Sequence, residues 1–228
     1  MNISFGVKVD IEKDAWNIWQ ACNRVSHGVD WSKRAEPEVI ENVAGKTETE
    51  AYAWLLPYLE HKYQKLDILV LADKLQSELM PEYPKVVEVI ERITQKPFHL
   101  QNVTLFLTTF NRCPYDSEKG YVWIYYKYDK NKIINTLLHE LLHFQFHHYY
   151  EDDLQDKVSD SEWEAIKEGM TVILNDDLAN WTGHKEITYS IYEDFAKEIL
   201  ELWHGKADRQ FDKFVAEAVE LVKKHNFT

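Results

Sequence analysis

The residues in this chain whose types and spacing suit chemistry are His139-Glu140-Leu141-Leu142-His143. Ile133-Ile134-Asn135-Thr136-Leu137-Leu138 precede them and Phe144-Gln145-Phe146 follow, an apolar setting that predicts a buried helix. On a helix the two histidines differ by one turn and about 40° around the axis, so their imidazoles project side by side. That spacing lets both hold one Zn²⁺ at about 2.0–2.1 Å. Glu140 lies on the flank of the same face, too close in sequence to His139 to be a comfortable co-ligand. It is well placed to take a proton from a metal-activated water. Leu138, Leu141, Leu142 and Phe146 cover the other sides, so the polar residues of a buried helix need partners, which a metal supplies.

A catalytic zinc site has three protein ligands and keeps a position for water, so a third ligand is required. After His143 the chain reads Phe144-Gln145-Phe146-His147-His148-Tyr149, without the GxxH continuation that supplies a third histidine in metzincins. His147 and His148 read as residues of the helix end, where positive charge is favoured. The search passes to a carboxylate on the following helix, where Glu162, Glu164 and Glu168 compete. Ser159 with Glu162, and Ser161 with Glu164, fit the capping-box pattern, which would commit those glutamates to backbone amides. Glu168 has no such alternative, and Gly169 beside it would let two helices approach closely. The expected ligands are His139, His143 and Glu168, with Glu164 the rival on the same face.

These residues resemble the gluzincins, metallopeptidases in which HExxH on one helix is completed by a glutamate on the next. Glu168-Gly169 is similar to the NEG-type segment of the aminopeptidase branch, with Lys167 in place of its asparagine. Val172 stands where thermolysin-like enzymes carry the aspartate of ExxxD, so the groups that orient the histidines are not identified. The resemblance covers residues 131–175 and a preceding strand. It implies a zincin-like fold, one zinc per chain, hydrolysis of peptide or protein substrates, and Glu140 as general base. In zincins the strand before the HExxH helix edges the cleft and pairs with extended peptide, and residues 121–128 occupy that place. Chain order nominates His184, Tyr189 and Tyr192 as oxyanion donors. No GxMEN motif of aminopeptidases is present, which leans toward an endopeptidase or short-peptide hydrolase. Two readings from other classes compete: a metal-binding module without turnover, and a helical protein-interaction domain in which the motif is accidental.

The elements that must position these residues read as an α+β domain with a helical majority. Residues 3–11 alternate apolar and polar side chains, a strand signal. Residues 103–110 and 121–128 are β-branched and aromatic, and Asn111-Arg112-Cys113-Pro114-Tyr115-Asp116 between them suggests the turn of a hairpin. A small antiparallel sheet before the active-site helix is therefore expected. Helical spacing covers 47–63 with a break at Pro57, then 68–80, 84–95, 132–148, 161–175, 188–204 and 208–225, with an acidic loop at 151–156. The whole, 1–228, reads as one domain whose first 100 residues are mainly helical and could regulate access.

With 228 residues the chain can bury roughly 70% of its unfolded surface, so any metal here serves chemistry rather than stability. Twenty-six basic against 39 acidic side chains leave a net charge of −13, which argues against nucleic acid or an anionic membrane as partner. Cys22 and Cys113 lack metal-finger spacing and suit free thiols in a reducing compartment. With neither a signal-peptide pattern nor a membrane-spanning apolar run, a cytoplasmic location is expected.

Overall fold

The computed structural model describes residues 4–205 and 210–227; Ile3 and Asp208, ends of the expected first strand and last helix, lie outside the described residues. The chain forms two compact units, one from residues 1–83 and 100–133, the other from 84–99 and 134–228. Helix predominates in both, and strands occur only in the first among the described residues. No helix among the described residues is long and apolar enough to cross a membrane. No disulfide joins Cys22 to Cys113.

The first unit is built on strands β1 (Ser4–Val9), β4 (Asn102–Thr108), β5 (Tyr115–Asp116) and β6 (Tyr121–Tyr125), in the order β1-β4-β6-β5. Residues Val25–Ser26 (β2) and Val29–Asp30 (β3) pair separately. The expected antiparallel hairpin is corrected here: β4 pairs in parallel with both β1 and β6, and only β5 runs antiparallel, against Tyr121 and Val122. The physical reason is legible in the strands themselves. Val103, Leu105, Phe106, Leu107, Val122, Trp123 and Ile124 are buried almost without alternation, as strands covered on both faces are. Residues 109–120 are long enough for the crossover that parallel strands need. At its end Gly120 takes a φ of 68°, where a Cβ would collide with the Asn102 carbonyl. Nor is β6 a free edge over this stretch: β4 lies on one side, and on the other the Trp123 amide donates to the Pro114 carbonyl at 2.9 Å.

Helices α1 (Ile11–Asn23), α2 (Pro37–Val43), α3 (Glu48–Leu66) and α4 (Ile68–Leu79) complete this unit. Asp10 caps α1, accepting from the amides of Glu12 and Lys13. Thr47 and Glu50 close a capping box on α3. Pro57 does not break α3, contrary to expectation. It lies on the exposed side, so the carbonyl that loses its amide partner faces water. Ala15, Ile18, Leu55, Leu59, Leu105 and Val122 form the core.

The second unit is helical: α5 (Tyr83–Thr94), whose first residue belongs to the first unit, then α6 (Lys130–Leu154), whose first four residues do likewise, α7 (Asp160–Gly169), α8 (Asn175–Trp181), α9 (Glu193–His204) and α10 (Phe211–Val222). Helix α6 runs through Leu154, so residues 151–153 of the expected acidic loop are exposed helix. The expected helix over 161–175 is interrupted, because a 3-10 stretch at Met170–Leu174 separates α7 from α8. Phe144, Phe195, Phe211 and Phe214 are fully buried at the centre of this unit.

Candidate metal centre

Asp129 precedes helix α6, and its carboxylate accepts from the Lys132 amide at 2.8 Å. Its middle is apolar on nearly every side: Leu137, Leu138, Leu141, Leu142, Phe144 and Phe146 are all buried. His143 and Glu140 are buried with them, and burial of that kind is tolerated only when polar groups find partners. Helix α7 is capped by Ser159, which exchanges hydrogen bonds with Glu162. The helices are held together by Phe146 stacked on Trp163 at 4.5 Å. That contact sets Glu168, less than two turns beyond Trp163, opposite the histidines.

The three side chains converge. The Nε2 atoms of His139 and His143 are 2.9 Å apart. Glu168 brings Oε2 to 3.7 Å from the first and Oε1 to 3.5 Å from the second. Ligand atoms on a tetrahedral zinc with bonds of 2.0–2.1 Å stand about 3.3 Å from one another. The donor set is therefore of the right type and nearly at the right spacing for one ion. His139, Glu140 and His143 also form a group in which each residue offers a ligand atom within 4.8 Å of the others. Glu164, the rival third ligand, pairs with Lys167, whose Nζ lies 2.9 and 2.7 Å from its two carboxylate oxygens. The same ammonium is 3.6 Å from Glu168 Oε1.

A residue that sequence reasoning missed completes the arrangement. Glu186 accepts from His139 Nδ1 at 2.8 Å, which leaves Nε2 directed toward His143 and Glu168. Its other oxygen accepts from Asn135 Nδ2 at 2.8 Å. The loop carrying Glu186 is anchored on α8, where Asn175 accepts from the Glu186 amide at 2.7 Å and donates to its carbonyl at 3.2 Å. Of the residues nominated in that region, Tyr192 is buried, and burial followed by the charges of Glu164 and Glu168 raises its hydroxyl. His184 bonds through its amide to Thr182, and the Tyr189 ring packs edge-on against Tyr192. His147 pairs with Glu151 at 2.9 Å and His148 stacks on His99 at 4.0 Å.

Electrostatics distinguish the roles of these groups. Burial pushes Glu140 up to about 8, Glu168 and Glu186 add to the rise, and His139 opposes it. A buried carboxyl tuned toward neutrality is what proton transfer at ordinary pH requires. Burial holds His143 down at about 3 against the pull of Glu168, so its imidazole is neutral and keeps a lone pair for a cation. Burial also works against a charge on His139, but Glu186, Glu140 and Glu168 outweigh it and raise the ring to about 10. In Glu168 burial is outweighed by His143, His139 and Lys167, and the carboxylate stays ionised far below its usual range.

No protein-family model, curated protein or solved structure matches this chain. One expectation about Gly169 changes: a Cβ there would meet the Phe195 ring at 2.8 and 3.0 Å, so its close approach is to α9 and not to the helix bearing the histidines.

Proposed function

We propose that the chain is a zinc-dependent peptidase, in which His139, His143 and Glu168 hold one zinc and Glu140 is the general base. The observation that carries this reading is the meeting of two imidazole Nε2 atoms and a buried carboxylate at 2.9, 3.5 and 3.7 Å. Zinc bound there would polarise a peptide carbonyl and make water nucleophilic near neutral pH. Glu140 accepts a proton at a carboxylate oxygen as water adds to the carbonyl carbon. It returns that proton to the amide nitrogen, so the C–N bond breaks with a neutral amine as leaving group. Glu186 fixes His139 in the tautomer that presents Nε2, and Lys167, 3.6 Å from Glu168 Oε1, compensates the charge of that carboxylate. The gluzincin resemblance of residues 131–175 supports the same assignment and the zincin-like fold that goes with it, and favours peptide or protein substrates.

Metal content and peptide cleavage together test this. Wild type purified without added metal is expected to carry close to one zinc per chain by plasma mass spectrometry, and His143→Ala and Glu168→Ala to lose it. Glu140→Gln is expected to keep the zinc and lose on the order of 10²–10⁴ in cleavage rate of a peptide library. A wild type that takes up no zinc would overturn the metal assignment. Zinc retained with no cleavage by wild type would favour a binding module without turnover.

A further inference from the structure

A second site lies wholly within the first unit, at the carboxyl ends of the parallel strands. Strand β4 ends at Thr108 and β6 at Tyr125, and the residues that follow each, Thr109 to Asn111 and Tyr126 to Lys127, line one cleft of about 90 Å³. Open parallel sheets bind ligands in this position, beyond the carboxyl ends of their strands. The opposite wall comes from Arg34, Glu36, Tyr58 and Lys62.

The chemistry of the lining is cationic. Arg34, Lys62 and Lys127 face the cleft with one carboxylate, Glu36, in a chain whose acidic side chains outnumber the basic by 39 to 26. Glu36 is already partnered, by Lys62 at 3.4 Å and by the Tyr58 hydroxyl at 3.3 Å. Arg34 uses one of its five donors on the Asn111 carbonyl at 3.1 Å, with its guanidinium 4.4 Å over the Trp31 ring. Those contacts fix it while leaving donors to spare. Lys62, half-buried, donates hydrogen bonds to Glu36 and to Tyr58, at 3.4 and 3.2 Å, and has a third N–H.

We propose that this cleft binds a phosphate-sized oxyanion, with Arg34, Lys62 and Lys127 supplying charge-assisted hydrogen bonds. The volume sets the class. It is several times the roughly 10–15 Å³ that admits one water and well short of the 300 Å³ or more typical of drug-sized ligands. The occupant is therefore a free phosphate or the phosphoryl end of a larger molecule whose remainder stays outside.

Calorimetric titration of the full chain with inorganic phosphate and, separately, phenyl phosphate tests this, with sodium chloride at equal ionic strength as the blank. One saturable site per chain is expected. Tighter binding of phenyl phosphate would identify a phosphoryl end group, and equal or weaker binding the free ion. Lys62→Met or Lys127→Ala is expected to weaken binding about tenfold or more, as loss of a charge-assisted contact should. Lys127 is exposed on a loop, so its removal leaves folding intact, to be checked by an unchanged melting curve. His143→Ala is expected to bind phosphate as wild type does. Absence of saturable binding for both probes, affinity unchanged in both lysine variants, or loss of binding in His143→Ala would overturn the proposal, the last by placing the anion at the metal centre.

Discussion

Glu186 Oε1 stands 2.8 Å from His139 Nδ1, and the same carboxylate holds Asn135 Nδ2 at 2.8 Å, so one loop residue fixes the orientation of an imidazole on α6. Groups that hold the far nitrogen of a ligating histidine set its tautomer and basicity, and losing one lowers metal affinity by about 10–100-fold. Glu186→Ala is expected to lose zinc affinity by that factor while His139, His143 and Glu168 remain. Competition against a chromophoric chelator reads this directly. Affinity within twofold of wild type would mean that Glu186 does not orient His139.

Gly169 ends α7 directly after Glu168, and its missing side chain is filled by Phe195 of α9. A methyl group there would sit 2.8 Å from Phe195 Cδ1, so the ring or the helix must shift. Overpacking of this kind costs about 1–3 kcal/mol. Gly169→Ala is therefore expected to lower the thermal midpoint, and Gly169→Ala combined with Phe195→Leu to recover part of the loss. Additive losses in the double variant would show that the two positions are not coupled in this way.

How much of this was legible in the sequence depends on the range over which each feature is determined. The pairing of His139 and His143 follows from helix geometry within one turn, and apolar flanks announced the helix. Glu168 could be preferred over Glu162 because a capping serine competes for the latter, and Ser159 does bond Glu162. Glu164 does not cap its helix as the Ser161 spacing suggested; it pairs with Lys167, three residues on, a partner that was visible as a spacing. Glu186 carried no local signal: its place depends on Asn175 gripping its backbone, a contact made only after folding. The sheet misled because residues 103–107, save the half-buried Thr104, and 122–124 are buried, the mark of parallel strands, whereas the turn-forming residues between them suggested a hairpin.

Pro57 sits inside α3, two turns from its end, with Trp54 and Tyr58 stacked beside it at 4.7 Å. An interior proline removes one hydrogen bond and crowds the preceding turn, at about 3 kcal/mol, while it stiffens the unfolded chain by about 0.4–1 kcal/mol. The first effect exceeds the second even when water satisfies part of the loss. Pro57→Ala is expected to stabilise the protein by about 1–2 kcal/mol on these terms, seen as a higher denaturant midpoint at unchanged slope. A lower midpoint would mean that the side chain contributes packing that the exposed position conceals.

Asp14 is fully buried, accepting from the Thr108 hydroxyl at 2.5 Å, the Thr109 amide at 3.0 Å and the Tyr63 hydroxyl at 3.1 Å. Burial raises its carboxyl above the ordinary value of 3.8, although hydrogen bonds from Thr108, Thr109 and Tyr63 pull it back. The folded chain therefore holds the Asp14 proton over a range of pH in which the unfolded chain has released it. Stability falls as pH rises wherever the folded state binds more protons, so this group's contribution is complete below the unfolded value and is lost as pH climbs through the folded one. Asp14→Asn keeps the oxygen that accepts from Thr108 and Thr109, offers its amide to the Tyr63 oxygen, and cannot ionise. Its stability relative to wild type is accordingly expected to improve steadily as urea unfolding is repeated from pH 4 toward neutrality. A constant difference across that range would mean that Asp14 titrates alike in both states and that its hydrogen bonds fully offset its burial.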